Sequence, residues 1–413
     1  MYGFQRSKIR FNFQWLPAYV WQRVAGIFTT TANPLHLMIA IADHFEPSMT
    51  HDGQYADLCE QERRLRHWCH DYPKMAGEWL DNDDYPLRHT YFYPAEQYHS
   101  DLISMLAEHC RDGWGEIEIH LHHGVKEPDT AENTRRTLVE FRDRLASHGC
   151  LSRSQGRKEP SYAFVHGNWA LANSANGRAC GVDNEMEILA TTGCYADFTL
   201  PSAPHPSQVA KINSLYECAL PLNRRAPHRR GHDLVSGQAP KIFPLIVQGP
   251  LMLDFSRVSR ETYFPRIENA EITAKNPPTM DRLQLWKRAA ITVAGRPDWL
   301  FIKLHCHGLD PREQGAMSGT PMSNFLEALI NTADDHGHKL HFVTAREMVN
   351  IILAACDGHD DNPGEYRDYR LKLTGSRETK KPSNVALVQE NKNNRRHSEK
   401  DAIRNCKAPT LQL

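Results

Sequence analysis

The segment Glu116-Ile117-Glu118-Ile119-His120-Leu121-His122-His123-Gly124 alternates ionisable and apolar side chains. In a β-strand this period of two sends Ile117, Ile119 and Leu121 to one face and Glu118, His120 and His122 to the other. A carboxylate and two imidazoles buried on one face are costly unless they pair or bind a cation. Imidazole nitrogen and carboxylate oxygen together suit a divalent metal, zinc first among them. An open coordination position would hold a water as nucleophile. A neutral, hydrogen-bonded histidine network is the plainer reading of the same run.

Three further runs end apolar strands in groups able to do chemistry. Ile39-Ala40-Ile41-Ala42-Asp43-His44-Phe45-Glu46 delivers ionisable side chains to the C-terminal edge of a parallel sheet, where barrels place catalytic residues, and makes Asp43 a candidate general base or metal ligand. In Phe301-Ile302-Lys303-Leu304-His305-Cys306-His307-Gly308, alternation puts Lys303, His305 and His307 on one face. Either histidine there would serve as a general acid, because an imidazole titrates near neutrality. Phe164-Val165-His166-Gly167-Asn168-Trp169 offers an indole face for a sugar ring and an amide for its hydroxyls. Beyond these three, Cys180-Gly181-Val182-Asp183-Asn184-Glu185 and Tyr195-Ala196-Asp197-Phe198 add more carboxylates.

Residues so spaced need a scaffold that brings strand ends together. Eight short apolar runs read as strands: Leu35–Ala42, Arg88–Tyr93, Glu116–His122, Tyr162–His166, Tyr195–Thr199, Ile242–Val247, Trp299–His305 and Lys339–Val343. Helical periodicity over Ala95–Cys110 and Thr130–His148 supplies covering helices, the second stopped by Gly149. The expected fold is α/β: a distorted (β/α) barrel of seven or eight strands over residues 34–372. It follows an N-terminal segment, residues 1–33, and precedes a polar tail, residues 373–413, that has too little apolar surface to order itself. Residues 201–241, rich in Pro, Arg and His, read as an excursion or lid over the barrel mouth.

Bulk properties narrow the partners. With 40% hydrophobic and 24% charged residues the chain can build a sizeable core, and a formal net charge of −1 gives no electrostatic case for nucleic acid. No phosphate-binding glycine loop follows a strand. A neutral substrate is the easier fit. Ten scattered cysteines without a C-x-x-C pair favour a reducing compartment, and the cytoplasm is the expected location. The aromatic and basic stretch from Phe11 to Phe28 packs on the domain or makes weak contact with a membrane surface. Oligomeric state is not legible.

Taken in order, these pieces resemble the polysaccharide deacetylase superfamily, in a divergent branch associated with polysaccharide assembly. Ala42-Asp43-His44 stands where that family has an acidic motif, with His44 at the place of a second aspartate. His120-Leu121-His122-His123 stands for its histidine metal motif, packed more closely than usual. His166-Gly167-Asn168-Trp169 followed by Gly193-Cys194-Tyr195 matches a groove motif, and Leu304-His305 its last motif. The resemblance spans about Ile39 to Arg346 and implies a metal-dependent hydrolase that removes an acetyl group from an N-acetylated sugar. A divalent metal, zinc by preference, would be held among Asp43, His44, His120, His122 and His123. Asp43 or Glu46 would act as base and His305 or His307 as acid, with His166, Asn168, Trp169 and Asp197 contacting substrate. The rival readings are a metal-independent glycosidase pairing Glu118 with Asp197 or Asp254, and a non-catalytic sugar-binding or scaffold protein.

Overall fold

The computed structural model describes residues 13–26, 34–154, 156, 158–258 and 264–374. All eight expected strands form and join one ten-stranded sheet. Its strands in chain order are β1 (Leu35–His44), β2 (His89–Pro94), β3 (Gly115–Leu121), β4 (Tyr162–His166), β5 (Cys194–Asp197), β6 (Leu215–Cys218), β7 (Gly231–Asp233), β8 (Leu245–Val247), β9 (Trp299–Cys306) and β10 (His338–Phe342). The hydrogen-bonded path runs β9-β1-β2-β3-β4-β5-β8-β6-β7, with β10 also paired to β1. The strands read from sequence are parallel to one another, whereas β6 and β7 run antiparallel at the far edge.

The closed barrel expected from the strand count is not seen among the described residues, because no ladder joins β9 to β8. Two local pairings account for the open path. The free edge of β9 bonds to the segment 270–272, with His305 N–H reaching Ala270 and Ile272 N–H reaching His305. The outer edge of β8 is taken by β6, which comes from the 201–241 stretch. That stretch is therefore in part sheet rather than a detached lid. Across the gap, the Lys303 ammonium donates to the carbonyls of Phe198 and Leu200 at 2.7 Å each.

Alternation sorts the side chains into two cores. Leu37, Ile39, Ile41, Ile117, Ile119, Leu121, Ile302 and Leu304 pack outward under helices α2 (Leu58–Ala76), α3 (Ser100–His109) and α4 (Ala131–Ser147). On the opposite face Met38, Ala40, Ala42, Ala163 and Val165 pack in a second core with the helix Ala345–Cys356, every residue of which is buried. Small side chains leave room for that helix, whose buried polar residues Arg346, Glu347 and Asn350 are each paired. On the same face of β3, Glu116 pairs with Arg346 at the start of the buried helix, Glu118 accepts from the Tyr195 hydroxyl and the Ala163 amide, and His120 ends the column.

The periphery follows the sequence closely. The helix expected over Thr130–His148 is observed as Ala131–Ser147, with the Thr130 hydroxyl accepting from Asn133 N–H as its cap. An N-terminal helix, Leu16–Gly26, docks beside the fully buried Trp15 and through Tyr19, and Gln22 reaches the Ile212 carbonyl; Val20, Trp21 and Val24 face solvent. Leu371–Leu373 pairs with Ser152–Ser154, and the expected tail from residue 375 onward lies outside the described residues. Among the described residues no helix is long and apolar enough to cross a membrane, and the six buried cysteines are free.

Candidate metal centres

The C-terminal ends of β1, β3 and β9 and the residues just after them converge on one group of imidazoles. The rings of His120 and His122 lie 4.5 Å apart, and His44 stands 5.1 Å from His120, 6.0 Å from His305 and 4.8 Å from His307. Glu46, two residues past the end of β1, turns its carboxylate into the group. Its Oε1 lies 3.4 Å from His120 Nε2 and 3.6 Å from His122 Nε2. Donors held ~2.0–2.1 Å from a tetrahedral zinc stand about 3.4 Å apart, so these separations match a coordination edge.

The far nitrogens of both rings are fixed. His120 Nδ1 faces the Val165 carbonyl at 2.8 Å, and His122 Nδ1 faces Glu96 Oε1 at 2.6 Å. Acceptors there put the proton on Nδ1 and leave an Nε2 lone pair pointing at Glu46, the arrangement by which outer partners orient metal-binding histidines. His120 Nε2 is buried and has no hydrogen-bond partner. His305 Nδ1 is in the same position. Buried polar atoms left in this way call for a ligand.

Electrostatics keeps the group competent to bind a cation. Burial, then the imidazoles of His307, His120 and His305 and the Lys303 ammonium, push His44 far below the ordinary imidazole range. Burial and the charge of His122 also lower His120, despite the opposing carboxylates. Burial would raise the Glu46 carboxyl, but its contact with His120 and the charges of His122 and His307 outweigh that and hold it at about 2. Burial thus leaves His44 and His120 as neutral donors beside the Glu46 anion, whereas contact with Glu96 and the charge of Glu46 outweigh burial and raise His122, whose proton a bound ion would displace. His122 and His307 are the half-buried members, so the group opens on their side. Gly167 lies against the His122 ring, where an added Cβ would come within 2.4 Å of it, and this close approach sets the exposed Asn168 and the half-buried Trp169 beside the centre. Trp169 also faces His205 at 5.4 Å.

Several expected site residues are placed elsewhere. Asp43 shares the outward parity of Ile39 and Ile41, so it turns away from the imidazole group; His89 Nδ1 meets it at 2.8 Å and the Gly308 amide donates to it at 2.7 Å. It is a positioning residue that fixes the turn carrying His307, and His44 takes the inward place. His123 lies one residue beyond His122 and turns the opposite way, and with His166 it joins Cys180 and Glu185 in a separate buried cluster. Asp197 is buried, bonded to Thr199, and raised to about 7 by burial, with Thr199 and Lys303 opposing. It does not line the open side. Glu118, the carboxylate of the glycosidase alternative, is sealed by Tyr195 and Ala163, and burial raises it to about 8.

Sequence reading missed Glu96 and Asp129, and gave the run holding Cys180 and Glu185 no place in the site. Cys180-Gly181-Val182-Asp183-Asn184-Glu185 carries ligand-type residues, but nothing local ties it to His123. The chain matches no known protein family and no curated protein sequence.

Proposed function

We propose that the chain is a metal-dependent hydrolase whose centre is Glu46, His120 and His122, with His44, His305 and His307 around it. The observation that carries this reading is a single carboxylate oxygen facing two imidazole nitrogens whose opposite nitrogens are pinned. Two histidines and a glutamate with an open position form a known type of catalytic zinc set. A divalent ion bound there would polarise a carbonyl and acidify water.

The substrate class follows from the resemblance to polysaccharide deacetylases together with the neutral charge balance: an N-acetylated sugar of a polysaccharide or its precursor. Trp169 and Asn168 are set to hold the sugar ring and its hydroxyls. In the reaction, water oxygen adds to the acetyl carbonyl carbon, the carbon–nitrogen bond breaks, and the proton released from water ends on the amine. His307, on the open side, delivers that proton to the amine.

Elemental analysis of the purified protein beside the His120→Ala/His122→Ala double variant tests the centre, with release of acetate from acetylated glycans as the activity readout. The double variant should lose about one equivalent of metal relative to the wild type, and turnover with it. Turnover that survives loss of the metal would refute the hydrolytic reading, and so would a wild-type protein that takes up no divalent ion.

A further inference from the structure

We propose that His123, His166, Cys180 and Glu185 form a second and closed metal centre, a structural zinc site that clamps the loops after β3 and β4 to the helix Glu185–Thr192. The proposal does not depend on the hydrolase reading. One donor atom from each of the four residues lies within 4.8 Å of the others, and all four residues are buried. His123 Nε2 is 3.0 Å from His166 Nε2 and 2.9 Å from Glu185 Oε1, while His166 Nε2 is 3.5 Å from the same oxygen.

The protons explain why these atoms need a cation. His123 Nδ1 lies 3.0 Å from Asp129 Oδ2, and Asp129 is itself held by Thr130, Asn133 and Thr134. His166 Nδ1 faces the Gly167 carbonyl. Carboxylate and carbonyl accept only, so both rings carry their proton on Nδ1. The two Nε2 atoms and a carboxylate oxygen then converge on one point, where a cation would take the place of the proton that otherwise bridges His123 and Glu185. Cys180 completes the set, its Sγ 3.6 Å from Glu185 Oε2, and the Val182 amide points at the sulfur at 3.5 Å. Imidazole, thiolate and carboxylate in a closed set of four suit zinc, and binding releases the thiol proton.

The surrounding backbone is arranged as a clamp would require. The Asp129 amide donates to the Cys180 carbonyl at 2.7 Å. Gly124 packs so tightly on Cys180 that a Cβ there would come within 2.0 Å of its carbonyl oxygen. Between His166 and Cys180 the non-glycine residues Asn168, Trp169, Ala172 and Asn173 all adopt positive φ, and the Ala172 amide donates to Glu185 Oε2 at 2.5 Å. Such conformations persist where the surroundings over-determine them. An ion tying His123 to Glu185 supplies that constraint.

Cobalt in place of zinc reports the thiolate directly. Full-length protein produced in cobalt-supplemented medium should show the intense near-ultraviolet thiolate-to-cobalt band. The band should remain in His120→Ala/His122→Ala, which removes only the open centre, and in Cys306→Ser. It should vanish in Cys180→Ser together with about one equivalent of metal. A wild-type spectrum without the band would overturn the proposal even if the Cys180 variant fails to fold. A band lost in Cys306→Ser, or kept in Cys180→Ser, would overturn it as well. Failure of the hydrolase reading alone would instead appear as a persistent thiolate band without acetate release.

Discussion

Glu96 shows how far a ligand histidine depends on a residue that touches no substrate. Its Oε1 takes the Nδ1 proton of His122, and its Oε2 lies 3.4 Å from the His122 amide nitrogen, so one side chain orients both ring and backbone. Removing such an outer partner typically costs 10–100-fold in metal affinity. Glu96→Ala should weaken metal binding at the open centre by about that factor, read by competition with a chelating dye, and Glu96→Gln should fall between it and the wild type. Unchanged affinity in Glu96→Ala would remove His122 from the ligand set. At this scale the sequence is legible where one strand carries the signal: His120 and Glu118 face inward together because they share parity. It is not legible where the contact joins distant loops. Glu96 meets His122 from 26 residues away and Glu185 meets His123 from 62, and no local pattern encodes either meeting. Asp43 fails differently. Its type suggested a base, but its parity on β1 sends it to the other face, and only the register of the whole strand reveals that.

The helix Ala345–Cys356 shows the same logic in an element. Thr344 and Glu347 form a capping box, and the Glu347 carboxylate also receives Arg88 and Arg367. Burial would raise that carboxyl, but the guanidinium groups of Arg88, Arg367 and Arg346 more than offset it and hold it below the ordinary range. A depressed carboxyl contributes stability that is present above its unfolded pKa and lost as pH falls through the folded one. Wild-type stability should therefore decline as pH drops below about 4.5. Glu347→Ala should lose about 3–5 kcal/mol at neutral pH, since it breaks a buried pair, and should flatten the acid decline. Denaturant midpoints at pH 7, 4 and 3 would show both effects, and parallel curves for the two proteins would refute the assignment. Elements of this kind were readable in advance: eight apolar runs became eight parallel strands, and Thr130 capped its helix as its residue type suggests. Barrel closure was not readable, because it depends on what pairs with the edges of β8 and β9, and those partners are non-local.

For the molecule as a whole, adjacent residues serving two centres is the organising feature. His122 and His123 follow one another, so the chain leaving β3 turns one imidazole to the open group and the next to the buried cluster. The two centres then differ in exposure: the His122 side chain is 24% exposed and that of His123 only 5%. With ions bound as proposed, chelator would reach the first directly, whereas the second would yield its ion only when the loops around it open. Metal release under excess chelator should accordingly be biphasic. The fast phase should abolish turnover and leave thermal stability close to that of the untreated protein. The slow phase should lower the unfolding temperature, because an ion bound only by the folded state stabilises it by mass action. Deleting the open centre with His120→Ala/His122→Ala should remove the fast phase alone. A single phase in which turnover and stability fall together would mean that the two clusters act as one site, and the division between a working and a holding metal would then be wrong.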